Sequence, residues 1–208
     1  MGRENGNHMI NLSLYRSIAE RYQHLRNIRT VAMMSAISHQ IERQVLKYNM
    51  PIDFYAGFQR FSAFPGQIQR YERLGAVCHR VYIFGVADVV PPTIAGVEFI
   101  ALAPDTPLTQ EWFLLADTPE FWTLLSTREF KGADAVTGER HFDGIWTFNA
   151  PVVESASQLL AHALGHTYSP HHERYASLQN QNVTEVTERI VEYMEKNRLS
   201  TVPSSKIE

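Results

Sequence analysis

The sequence predicts a single α/β domain whose central mixed sheet has about five strands, made of a βαβ crossover plus a hairpin and flanked by helices. Arg80-Val81-Tyr82-Ile83-Phe84-Gly85-Val86 is a short β-branched and aromatic run without apolar/polar alternation, the pattern of a mid-sheet strand covered on both faces. Ile52, Phe54, Ala56 and Phe58 alternate with Asp53, Tyr55 and Gly57, as in a strand with two distinct faces. Between these two runs Ile68, Tyr71 and Leu74 recur at helical spacing, so strand, helix and strand follow one another with short joints, which implies a right-handed parallel crossover. The chain has 208 residues, 44% of them hydrophobic and 20% charged, enough for one well-filled core and short for two.

Before the crossover, Leu14, Ile18, Tyr22 and Leu25 lie on one stripe of an expected amphipathic helix. A second helix carries Val31, Met34, Ser38, Ile41, Val45 and Tyr48, a seam that suits packing on the core or a dimer contact, and it closes at Asn49 and Pro51. After the crossover, Val97 to Leu102 and Glu111 to Ala116 read as strands joined by about eight residues, a length that favours an antiparallel hairpin. Thr118 followed by Pro119 reads as a helix start, with Phe121, Trp122 and Leu125 turned inward. Lys131 to Arg140 is rich in Gly, Asp and Thr and reads as a surface loop. Gly144 to Phe148 makes a further strand, and Asn149 caps a helix that Gly165 ends.

The expected organisation is a tag or disordered start over 1–9, the α/β domain over 10–165, a polar linker over 166–182, a separate amphipathic C-terminal helix over 183–199 and a disordered tail over 200–208. On that helix Val183, Val186, Ile190 and Tyr193 form an interaction stripe that could dock on the domain or pair with a second copy, giving a homodimer.

A net charge of −3 leaves no electrostatic footprint for nucleic acid, and no stretch is apolar and long enough to span a bilayer. The single cysteine, Cys78, excludes an internal disulfide, and without a signal-peptide pattern the expected compartment is the cytoplasm. Neither a Gly-x-Gly-x-x-Gly fingerprint nor a Walker lysine is present, and no serine sits in a nucleophile elbow. His162, His166, His171, His172 and Glu173 invite a metal reading, but Gly165 should unwind the helix between the first two, and no metal or other cofactor is expected. Cys78 suits a small buried hydrophobe better than a nucleophile, because His79 points away from it. Glu111 and Asp117 stand six residues apart on one strand, about 20 Å at strand rise, too far for a carboxylate pair.

Tyr55, Phe58, Gln59, Tyr71, Trp112 and Trp146 fall at or near strand ends and on the helix between two strands, where aromatics with one amide suit either an organic-ligand pocket or core filling, and Phe58, Gln59, Tyr71, Asp88, Glu111, Trp112 and Trp146 are the candidate ligand-binding residues. Asp88, Pro91 and Pro92 place a rigid loop at the carboxyl end of the 80–86 strand, where open α/β sheets tend to bind ligands.

Ordered segments from Ser35-Ala36-Ile37-Ser38-His39-Gln40-Ile41-Glu42, through Ala56-Gly57-Phe58-Gln59, Arg70-Tyr71 and Val81-Tyr82-Ile83-Phe84-Gly85-Val86-Ala87-Asp88, to Glu111-Trp112-Phe113-Leu114 and Gly144-Ile145-Trp146-Thr147-Phe148 resemble the DICT sensory domain over about Arg29 to Leu164. The resemblance implies a bacterial, especially cyanobacterial, sensory domain that accompanies diguanylate cyclases, histidine kinases and other two-component modules. It brings no established ligand or catalytic residues. The reading it supports is a non-catalytic cytoplasmic domain that senses a small ligand or a protein partner and relays the change through its terminal helices to a signalling protein or output domain. The alternatives are a small enzyme using His141, Glu111 or Asp117 in a cleft at the sheet's carboxyl edge, and an oligomeric adaptor without a small ligand.

Overall fold

A computed structural model describes residues 10–130 and 140–200, with the side chains of 197–200 left aside. The expected start over 1–9, most of the loop after Phe130 and the tail after 200 lie outside the described residues. The strands β1 (Arg26–Ile28), β2 (Asp53–Arg60), β3 (Arg80–Val86), β4 (Val97–Leu102), β5 (Glu111–Asp117), β6 (Trp122–Phe130) and β7 (His141–Thr147) form one mixed sheet in the order β1-β7-β6-β5-β2-β3-β4. Helices α1 (Val31–Lys47), α2 (Ile68–Val77) and α4 (Ala176–Ser200) cover one face, over a core that includes Ile37, Ile41, Phe54, Tyr71 and Leu114. The π-helical turn Tyr15–Ala19 and α3 (Ala150–Ala163) cover the other, over Tyr55, Phe84, Phe113, Leu124 and Leu160.

The crossover forms as its pattern predicts: β2 and β3 pair in parallel, with α2 between them in sequence. β3 is buried from Val81 to Gly85, since both faces carry a core and both edges are paired, to β2 and to β4. It lies next to the sheet's edge strand, and β5 occupies the centre. α2 sits so close to the turn before β4 that a Cβ on Gly75 would lie 2.2 Å from the Ala95 carbonyl oxygen, and Gly96 supplies the positive φ of 74° that the turn needs. α1 opens on the Thr30 hydroxyl, which accepts from the Met33 N–H, and Met34, Ile37, Ile41 and Val45 are fully buried. At about 1.5–3 kcal/mol for each such side chain, that seam is spent on the chain's own core.

Several expectations are corrected. The sheet has seven strands because β1 and β6 were not foreseen. The helix expected from Pro119, with Phe121, Trp122 and Leu125 inward, does not form: Trp122–Phe130 is a strand paired residue for residue with β5 from Asp117↔Trp122 to Glu111↔Arg128, and with β7 on its other edge. Thr118 does act as a local cap, accepting from the Glu120 and Phe121 N–H groups, but these bonds close a tight turn in which the Thr118 N–H returns to the Phe121 carbonyl. Two long ladders outweigh a helix start.

The hairpin between Val97 to Leu102 and Glu111 to Ala116 does not exist: β4 runs parallel to β3 at the edge, and β5 runs antiparallel to β2. Residues 103–110 pass over β3 and β2, a jump of three strand spacings or about 14 Å, within reach of eight residues. Leu108, 1% exposed, anchors the passage in the core. The N-terminal stripe does not make a regular helix either. The chain forms the wide turn Tyr15–Ala19, a 3-10 turn at Gln23–Leu25 and then β1, because Glu111 holds both the Ser13 hydroxyl and the Tyr15 N–H.

The C-terminal helix is not separate from the domain. It begins at Ala176, inside the expected linker, and lies against α1, with Val186 and Ile190 in the core, Val183 half-buried and Tyr193 exposed. Polar partners fix the contact: Gln44 Nε2 donates to Asn182 Oδ1 at 2.6 Å, Lys47 meets Glu185 at 2.8 Å, and Arg189 reaches Gln40 and Gln44. The buried Gln179 amide accepts from the Trp122 N–H and donates to the Trp122 carbonyl, which ties the first turns of α4 to the start of β6.

Candidate functional site

β2 and β5 pair antiparallel with Tyr55 opposite Leu115, and two more residues of that register bring Asp53 and Asp117 to the same end of the sheet. A cavity of about 750 Å³ opens there, floored by these strand ends and walled by α3, the segment 166–171, the 118–120 turn and the first turns of α4. The volume suits a small organic molecule.

Asp117 is the fixed point of the wall. Its side chain is 7% exposed; Oδ2 accepts from the Ser157 hydroxyl and from the Tyr168 hydroxyl, each at 2.8 Å. Oδ1 lies 2.9 Å from Arg174 Nη2, yet that contact lacks hydrogen-bond alignment and Oδ1 accepts no hydrogen bond among the described residues. Arg174 also bonds Glu154 Oε1 at 2.8 Å, donates to the Thr118 carbonyl and covers the Trp122 ring at 4.9 Å, so it seals the outside of the cavity rather than lining it. His171 Nε2 lies 3.1 Å from the Asp117 carbonyl oxygen. Burial, together with the bond to Asp117, holds the Tyr168 hydroxyl well above the ordinary tyrosine range.

Tyr55 lies deeper, 5% exposed and stacked on Tyr82 with ring centroids 5.2 Å apart. Its hydroxyl has no hydrogen-bond partner among the described residues although the residue lines the cavity, and burial followed by the Asp53 charge keeps it protonated far above its usual range. Asp53 and Glu120 complete the acidic lining, and neither carboxylate has an ion pair among the described residues. Met50, Ile52, Ala161 and Leu178 supply apolar wall, while no lysine or arginine lines the space.

Of the residues expected to suit an organic-ligand pocket, Tyr55 lines this cavity, and none of Phe58, Gln59, Tyr71, Asp88, Glu111, Trp112 and Trp146 does. Phe58 and Tyr71 pack edge-to-face 5.5 Å apart beneath α1, where the Tyr71 hydroxyl donates to Glu42. The Trp112 indole N–H donates to the Ser38 hydroxyl, and that of Trp146 to the Thr123 hydroxyl. Gln59 bonds Glu129 and Arg140 at the carboxyl end of β2, and Asp88 takes the Ser62 hydroxyl and N–H. Those four aromatics share one face of the sheet, but the polar members do not converge with them. The cavity opens at the opposite end of β2 and β3 from the loop after Val86. Its walls come from segments far apart in sequence, and the polar run 166–171 that closes it reads as linker; the one legible signal is the histidine and tyrosine content of that run.

Other reactive groups are committed elsewhere. Burial pushes the Glu111 carboxyl up to about 7, although it accepts from the Ser13 hydroxyl at 2.5 Å and the Tyr15 N–H at 3.1 Å. Burial pushes the Cys78 thiol up to about 12, which leaves it a packing residue at neutral pH. His141 pairs with Phe130 in the ladder between β7 and β6, away from both Glu111 and Asp117 in the register. Gly165, with φ of 72°, ends α3 and separates His162 from His166, and no cluster of three His, Cys, Asp or Glu side chains is gathered for a metal among the described residues.

These features define a three-layer α/β domain with a ligand-sized cavity at one end of its sheet and a long terminal helix in the cavity wall. Residues 28–129 match the model of the DICT family, the sensory domain in diguanylate cyclases and two-component systems. The match runs from β1 to the end of β6 and so includes the strand ends and the 118–120 turn, whereas α3, the 166–171 segment and α4 lie beyond it. No curated protein and no solved structure matches the chain. No described helix is long and apolar enough to cross a membrane.

Proposed function

We propose that this chain is a non-catalytic, cytoplasmic sensor that takes a small organic ligand into the cavity beside Tyr55 and Asp117 and reports its presence through α4 to a signalling protein or output domain. The observation that carries this reading is the double engagement of α4. Leu178, Gln181 and Asn182 line the cavity, and Asn182 also accepts from the buried Gln44 amide of α1. A molecule entering the cavity therefore meets the helix that would carry the signal, with no intermediate element. Non-catalysis is supported by how the polar groups are committed: the one hydroxyl bonded to Asp117 from α3, that of Ser157, also lies 3.1 Å from the Val153 carbonyl, and Asp117 is shared among Ser157, Tyr168 and Arg174, so it is not a free base.

The test is a thermal-shift screen of metabolites with wild type and Leu178→Trp. A true occupant raises the melting temperature with concentration, and the indole placed in the cavity wall removes that effect while the unliganded melting temperature stays within a few degrees. A stabilising compound whose effect is unchanged in Leu178→Trp would place its site elsewhere.

A further inference from the structure

We infer that the occupant of the cavity is an organic cation, an ammonium or amidinium on an aromatic or apolar body. This rests on the cavity being the sensory site. The fixed charge of the lining is entirely negative: Asp53, Asp117 and Glu120 face it, and no lysine or arginine does. Arg174 neutralises Asp117 from behind and is itself shared with Glu154, so Asp53 and Glu120 remain uncompensated among the described residues. Two uncompensated carboxylates repel a phosphate or carboxylate ligand and concentrate a cation, with low-dielectric walls focusing the field.

The surrounding groups fit the same chemistry. The Tyr55 hydroxyl, on a residue 95% buried by its 5% exposure, is an unpartnered polar group at the cavity wall that can accept from an ammonium. Tyr48, Tyr55 and Tyr168 bring aromatic side chains to the lining, a residue type that attracts cations. Met50, Ile52, Ala161 and Leu178 offer contact to the uncharged body of the ligand.

The experiment compares three probes of one shape and different charge by titration calorimetry: tryptamine, its alcohol counterpart tryptophol and the carboxylate indole-3-propionate. Tryptamine should bind at least tenfold more tightly than the alcohol, the carboxylate should bind most weakly, and added salt should erode the preference. In the double variant Asp53→Asn, Glu120→Gln the advantage of the amine should vanish while the alcohol binds as before. Asp53 is exposed and neither carboxylate is paired, so the fold should tolerate the change, and an unaltered unliganded melting temperature verifies that. Equal or tighter binding of the alcohol or the carboxylate overturns the inference, as does an amine preference that survives the double variant. If none of the three binds, the cationic class falls as well; a neutral metabolite that stabilises wild type and not Leu178→Trp would then keep the cavity reading alive without it.

Discussion

Glu111 shows how much one side chain organises. It is fully buried at the first position of the central strand, and its two oxygens hold the Ser13 hydroxyl and the Tyr15 N–H, which fastens the N-terminal segment across the sheet. Its carboxyl is raised from an ordinary value of 4.5 to about 7, so the folded protein keeps a proton that the unfolded chain releases. Stability from this group is therefore present in full below about pH 4.5, falls as pH rises through the window between 4.5 and 7, and is level above it. Glu111→Gln removes that slope, because an amide can accept from the Tyr15 N–H and donate to the Ser13 hydroxyl. The difference between wild type and variant, measured as unfolding free energy from pH 5 to pH 8, should change by about 2 kcal/mol in favour of the variant at high pH. Taking the difference cancels His39, whose lowered pKa, caused by burial, gives a slope of opposite sign. Arg174→Ala acts in the other direction: it strips Asp117 of its cation inside a largely buried cluster and should cost about 3 kcal/mol in denaturant unfolding.

At the scale of elements, α4 packs on the domain without pairing in the sheet. Its N-terminal turns are tied through Gln179 and Asn182 to the 118–122 turn, and its middle is held to α1 by Val186, Ile190 and the Gln40, Gln44 and Arg189 amide and guanidinium contacts. Ile190→Asp places an uncompensated carboxylate at a position 6% exposed and should release the second half of the helix while β2, β3 and β5 stay folded. Hydrogen exchange should then rise by at least tenfold in residues 186–196 and remain within twofold in β3. The stripe that carries this contact was legible, since Val183, Val186 and Ile190 repeat at helical spacing, and so were the crossover, the Asn149 cap and the stop at Gly165. What escaped was set by partners distant in sequence. Trp122–Phe130 begins with helix-start chemistry and becomes a strand through pairing with β5 and β7, and Leu108 lets a short connection cross two strands where a hairpin was expected. The aromatic residues Trp112 and Trp146 were visible as strand-end residues, but the same composition serves packing, and packing is where they are used.

For the whole molecule the question is how an occupied cavity becomes a signal. A ligand shifts an equilibrium only by its differential affinity for the two states, so α4 transmits only if its docked and released forms bind the ligand differently. Leu178, Gln181 and Asn182 are part of the cavity wall, so on the proposed reading a form with α4 released would lack that wall and the docked form should be the tighter binder. At a ligand concentration one hundred times its dissociation constant the gain is about 2.7 kcal/mol, roughly a hundredfold shift toward docking if the released form does not bind. Saturating ligand should accordingly slow hydrogen exchange beyond the contact residues, through Val186 and Ile190 to the end of the described helix, by tenfold or more, while β4 at the far edge of the sheet is unchanged. The same ligand added to Ile190→Asp should still protect the 166–171 segment but restore less of α4, because the docked state starts from a lower population. Protection confined to residues 166–182 in the wild type would mean that the cavity and the rest of the helix are not coupled, and that the domain signals by another route.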